Sequence, residues 1–172
     1  MKIPLPEVWM RGPVEDVPPL LQPVAHALLQ AGEEIPQHLH GFPEDLLWKK
    51  PAGLASVGFH LQHITGVIDR MFTYARQEML NETQLAYLAA EGIEKPGINT
   101  PLLLANLDLQ IIEAIEYIKG TDERQLTSTR GIGRKQIPTT LIGLLFHAAE
   151  HTQRHTGQLL VTAKLVGVVN RS

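Results

Sequence analysis

The chain has 172 residues, 44% of them apolar, with 15 basic residues against 18 acidic ones and a formal net charge of −3. Such a length suits one domain over residues 1–172, which can bury about two-thirds of its unfolded surface without cross-links. The mild negative charge excludes a global attraction for nucleic acid or anionic membrane, and the lack of any cysteine excludes disulfides, thiolate zinc sites and a catalytic thiol of the chain's own. No apolar run approaches the roughly 18 residues that cross a bilayer. Residues 1–11 hold no continuous apolar stretch, so a cytoplasmic location is expected.

Pro18 and Pro19 fit a first helical turn, and Leu20, Leu21, Val24, Leu28 and Leu29 recur at helical spacing, giving a first long helix to about Gln37. Pro23 falls late for a first-turn proline, so this helix begins further on or bends there. His38 to Gly53, with Pro43, Pro51 and two glycines, reads as a loop. Ser56 then caps a second long helix from Val57 to about Met79. Asn81 with Gln84 has the form of a capping box for a short helix carrying Leu85, Leu88 and Ala89, closed by Gly92. Thr100 and Pro101 open a third long helix, with Leu103, Leu107, Ile111, Ile112, Ile115 and Ile118 on one stripe and Gly120 as its stop. A fourth, from Thr139 to about Val166, carries Leu144, Ala148, His151, His155, Leu159 and Thr162 at spacings of three and four, with Gly167 as its end. No segment alternates convincingly as a strand. The expected fold is all-α, an up-down four-helix bundle with one additional short helix.

Of the eight histidines, His60 and His63 fall on the second helix and His147, His151 and His155 on the fourth. Residues four apart on a helix are rotated by only about 40°, so His151 and His155 stack one turn apart and their rings can converge on one ion. A facing helix can supply the third ligand, His63. Neutral imidazole suits zinc, nickel, iron and copper, and three such ligands leave positions for water or substrate. The plain alternative is a set of half-buried histidines bonded to backbone or solvent. His60 and His147 are both candidates for supporting the ligands from behind; His147 is favoured to line the pocket because it continues the row, His60 can equally be an ordinary interhelical or surface residue, and Glu150 can instead accept a hydrogen bond from an imidazole at the rim.

The run His147, Glu150, His151, His155, Gly157, Gln158 resembles a signature of the DinB-like superfamily, His-x₂-Glu-His-x₃-His-x-Gly-Gln. Ser56, His60, Leu61, His63 and Ile64 match that family's Ser-x₃-His-Leu-x-His-Ile form. By position, the resemblance implies a metal-binding triad of His63, His151 and His155. Arg154 stands where many members carry a further histidine that is not one of the triad. Family members of known activity are mostly metal-dependent thiol transferases using low-molecular-weight thiols, and related helical domains occur in sulfoxide-forming enzymes of ergothioneine synthesis. The family name derives from induction by DNA damage and implies neither DNA binding nor polymerase activity.

Other segments admit two readings. The basic, glycine-containing Arg130–Lys135 can bind an anion before the fourth helix or serve as a flexible loop, and it lacks the ending of a phosphate-binding loop. Asp69, Arg70 and Tyr74 can reach the mouth of the site or make ordinary ion pairs, and Trp48 and Phe42 can line a pocket or seal the core. No serine, cysteine or carboxylate constellation marks a nucleophile or general base, so no catalytic residue is assigned. The functional expectation is a metal-dependent enzyme, a thiol transferase or hydrolase, holding divalent zinc, nickel or iron and acting as a homodimer on a small molecule, with a low-molecular-weight thiol as the co-substrate in the transferase case. The competing expectation is a non-catalytic metal-binding, stress-response or dimerisation protein.

Overall fold

The computed structural model describes residues 5–169. Three of its helices start where a side chain takes up an amide hydrogen that the helix itself leaves unpaired. Ser56 Oγ accepts from the Phe59 amide at 3.1 Å and opens α2 (Val57–Ala75). Asn81 and Gln84 exchange side-chain and backbone bonds, both 2.9 Å, and open the short α3 (Glu82–Ala90). Asn99 Oδ1 accepts from the Leu102 amide at 2.9 Å and opens α4 (Thr100–Lys119). Thr100, expected as the cap, is therefore the first helical residue, and Asn99 does the capping.

Pro18 and Pro19 lie outside the first long helix: a 3-10 turn covers Pro19–Leu21, and α1 runs Gln22–His38 with Pro23 in its first turn. Proline there has no amide hydrogen to lose, so no bend is needed. The last helix, α5, covers Leu141–Val169 and passes straight through Gly167.

The chain is mostly helical, with one correction to an all-α reading. β1 (Thr129–Ile132) and β2 (Ile137–Thr140) pair antiparallel, with Arg130 opposite Thr139 and Ile132 opposite Ile137. The segment expected as a loop is this hairpin. Gly133 and Gln136 turn it with positive φ of 64° and 48°. Arg130 is not presented to an anion. Its Nε donates to the Ala75 carbonyl at 2.8 Å and its Nη1 to the Ser128 hydroxyl at 2.7 Å, tying the hairpin to the C-terminal end of α2.

α1 and α2 each pack against both α4 and α5, α3 lies along α2, and the hairpin strands touch α2 and α5. The interior is built from Leu28 and Ile35 of α1, Leu61, Ile64 and Ile68 of α2, Leu107 and Ile118 of α4, and Leu144 and Leu159 of α5, all essentially inaccessible. On α4 the buried stripe takes in Ala114 while Ile112 is exposed. Trp48 and Phe42 pack against the core, and a side chain at Gly58 would collide with the Trp48 ring, 2.6 Å from its Cζ3. Both seal the interior. Among the described residues no helix is long and apolar enough to cross a membrane.

Candidate metal centre

The interface between α2 and α5 brings three imidazoles together. One ring nitrogen of each of His63, His151 and His155 lies within 4.8 Å of the others, and all three side chains are half-buried. His63 Nε2 is 3.0 Å from His151 Nε2. The ring centroids of His155 stand 4.5 Å from those of His63 and of His151. The geometry follows from helical phase: residues 151 and 155 share one face of α5, and α2 presents 63 to it.

Two ligand candidates are held from behind. His63 Nδ1 lies 2.6 Å from Glu91 Oε2, and Glu91 Oε1 accepts from Arg70 Nη1 at 2.7 Å. The Glu91 side chain is only 6% exposed. With Nδ1–H donated to a carboxylate, His63 Nε2 is left with a lone pair toward His151, as a histidine ligand needs. On the other side His60 Nδ1 sits 3.0 Å from His155 Nδ1, which leaves His155 Nε2 free for an ion. Phe59 stacks on His63 with centroids 5.1 Å apart and planes 13° off parallel, limiting its ring rotation. His151 has no such support: its Nδ1 is buried without a hydrogen-bond partner.

The electrostatics favour the neutral, ligating form. Burial, with His63 adding a smaller repulsion, lowers His60 to about 4. Burial also leads for His155, followed by His63, His151, His60 and Arg154, and brings it down to about 4. His151 is lowered too, by burial first and by His63, His147 and Arg154 after it. A metal ion competes with the second ring proton of a histidine, and the lowered values disfavour that proton at neutral pH.

Glu91 was not foreseen. It caps the C-terminal end of α3, where a carboxylate faces the unpaired carbonyls and gains nothing from the helix dipole. That unfavourable placement, just before a glycine, is the signal the sequence carried. The turn is built for it. Gly92 has φ +77°, its amide donates to Gln62 Oε1 at 2.7 Å, and a side chain there would meet Phe59 Cδ2 at 2.9 Å. Gly66 leaves room on α2 for the Arg70–Glu91 pair, since a Cβ would stand 2.5 Å from Arg70 Nη1.

His60 and His147 both meet the triad, His60 at His155 and His147 at His151, where the ring centroids stand 5.0 Å apart. Buried His60 meets His155, whereas His147 is exposed, with Nδ1 2.8 Å from Glu150 Oε1. Glu150 also accepts from Arg154 Nη2 at 2.7 Å and so faces the rim. His147, Glu150 and His151 form a second close group, but it shares His151, and its carboxylate already answers to Arg154. Arg70 reaches the site only through Glu91. Asp69 accepts from Gln84 Nε2 at 2.8 Å, and Tyr74 is buried, with its hydroxyl on the hairpin side near Gly133.

The DinB superfamily profile matches residues 27–159, a span that includes the α2–α5 interface and both histidine segments. The chain belongs to the DinB superfamily. A solved structure described as the conserved protein of locus from Enterococcus faecalis shares the fold, with a TM-score of 0.69 and 19% identity over 86% of this chain and 96% of that one. That likeness speaks for the fold alone. No curated protein matches the chain.

Proposed function

We propose that this DinB-superfamily protein is a metal-dependent enzyme, a thiol transferase or hydrolase, that holds one divalent ion on His63, His151 and His155. The observation that carries the reading is the oriented ligand set, in which three converging imidazoles include two whose far nitrogens are already engaged by Glu91 and His60. An ordinary hydrogen-bonded pair explains the His63–His151 contact but does not call for a buried carboxylate and arginine behind His63.

The donor set is all nitrogen, which suits zinc, nickel or iron(II), and a three-histidine site keeps positions open. An ion there supplies Lewis-acid chemistry, lowering the pKa of a water or thiol that binds to it. The chain's own residues hold that site ready. Glu91 fixes the His63 tautomer and offsets part of the ion's charge, Arg70 holds Glu91 in place, Phe59 restricts the His63 ring, and His60 fixes His155. The packing of α1 and α2 each against both α4 and α5 supports a four-helix bundle as the frame.

The test is elemental analysis of untagged protein together with the His151→Ala variant. About one zinc, nickel or iron per chain, lost in the variant, is expected. Wild-type protein that takes up none of these ions on incubation would refute the metal reading.

A further inference from the structure

A cavity of about 530 Å³ opens between the segment before α2 and the second half of α5. It lies outside the triad but shares a wall with it. That wall is His60, only 4% exposed, whose Nδ1 faces His155. Among the described residues its Nε2 has no hydrogen-bond partner and is not a sealed, unpaired polar atom, and the ring itself lines the cavity. If His155 is to ligate through Nε2, its Nδ1 carries the hydrogen and His60 Nδ1 accepts it. His60 must then bear its own hydrogen on Nε2, as a donor toward the cavity.

The other walls have a consistent chemistry. Leu54, Val161 and Leu165 line the cavity although 59%, 60% and 45% exposed, an apolar surface left open to solvent. Arg154 and Gln158 supply polar groups, and among the described residues no acidic one lines the space. Arg154 spends Nη2 on Glu150, leaving Nε and Nη1 for a ligand. A volume in this range suits a small molecule. Two donors at one end and aliphatic walls elsewhere fit an anionic head on an apolar body.

We propose that this cavity binds a carboxylate with an aliphatic chain, its head group bonded by Arg154 and His60 and its chain against Leu54, Val161 and Leu165. The donor role of His60 rests on the metal reading, because His155 as a ligand sets the tautomer; the charge and shape of the cavity do not depend on it. A carboxylate seated here lies beside the metal centre, separated from it by the His60 ring.

The probe is octanoate, titrated calorimetrically into metal-free and zinc-loaded full-length protein, with zinc content measured in the same samples. Saturable binding of one octanoate per chain in both forms is expected, about tenfold weaker in Arg154→Gln and lost in Val161→Asp. Both side chains are exposed, so the variants keep their fold, which circular dichroism verifies. No saturable binding to the wild type, or equal binding to both variants, overturns the proposal. Binding that needs zinc and ignores Val161→Asp also overturns it, because the carboxylate then sits on the ion. Octanoate binding without zinc uptake would leave the cavity standing and remove the metal centre; zinc uptake without octanoate binding would do the reverse.

Discussion

Glu91 Oε2 lies 2.6 Å from His63 Nδ1, so a carboxylate at the end of the short α3 governs how a histidine on α2 presents its other nitrogen. Because Arg70 holds the second carboxylate oxygen at 2.7 Å, the arrangement is a relay from cation to carboxylate to imidazole. Glu91→Gln keeps the size of the side chain but removes the charge that favours Nδ1–H on His63. Zinc affinity is expected to fall about 10–100-fold with stoichiometry retained at saturation, as is usual when a supporting carboxylate behind a ligand is lost. A competition titration against a chelating dye reads this, and an unchanged affinity would show that Glu91 does not orient the ligand.

The triad was readable because helical phase is local: a spacing of four on α5 and a third histidine on a second helix are visible in the residues alone. Glu91 and His60 were not readable in the same way. Glu91 meets a residue 28 positions earlier, and only the folding of α3 back along α2 brings the two together. That His60 would be buried against His155 while His147 stayed exposed beside His151 depended on which flank of each helix met its neighbour, and periodicity gives a face without naming its partner. Ile112 shows the same limit on α4, where the narrow buried stripe took Ala114 and left the larger residue outside. The hairpin escaped because its four-residue strands are too short to display an alternating pattern, and its glycines resemble those of any loop.

The lowered histidines set a pH dependence for the metal-free protein. His60 and His155 ordinarily titrate near 6.5 and are brought to about 4 in the fold, so the unfolded chain binds more protons between those values. Stability then rises with pH across that window, is fully present above about 6.5, and is lost as pH falls toward 4. Thermal melts of metal-free protein from pH 7.5 to 4 should show Tm declining below about 6.5, with a shallower decline in His60→Gln. A flat profile in the wild type would contradict burial as the cause.

Gly66 separates positioning from folding. Alanine in a helix interior normally gains about 1 kcal/mol over glycine. Here the added methyl would stand 2.5 Å from Arg70 Nη1 and 2.6 Å from Glu91 Oε1. Both atoms are ends of flexible side chains, though the Tyr87 ring also stands 3.1 Å away, so the pair moves aside and the fold survives at a cost of about 1–3 kcal/mol. The displaced Glu91 no longer holds His63, and Gly66→Ala should lower zinc affinity in the same direction as Glu91→Gln. Urea unfolding and the dye competition, run on one preparation, check the two halves; full affinity with normal stability would mean that the pair tolerates displacement without consequence for His63.

Arg130 supplies the converse case, a buried charged residue that serves the scaffold alone. Its guanidinium reaches the Ala75 carbonyl at 2.8 Å, one of the carbonyls that α2 leaves unpaired in its last turn, and it also bonds Ser128 and Thr129 in its own strand region. Arg130→Leu keeps much of the aliphatic stem but strips those acceptors of their donor. The expected cost is about 1–3 kcal/mol of folding free energy in a urea titration, the usual price of a buried acceptor left without a partner. The hairpin joins the far end of α2 from His63, so zinc should still bind once per chain with wild-type affinity. Loss of zinc from a folded Arg130→Leu variant would instead make the hairpin part of the metal centre.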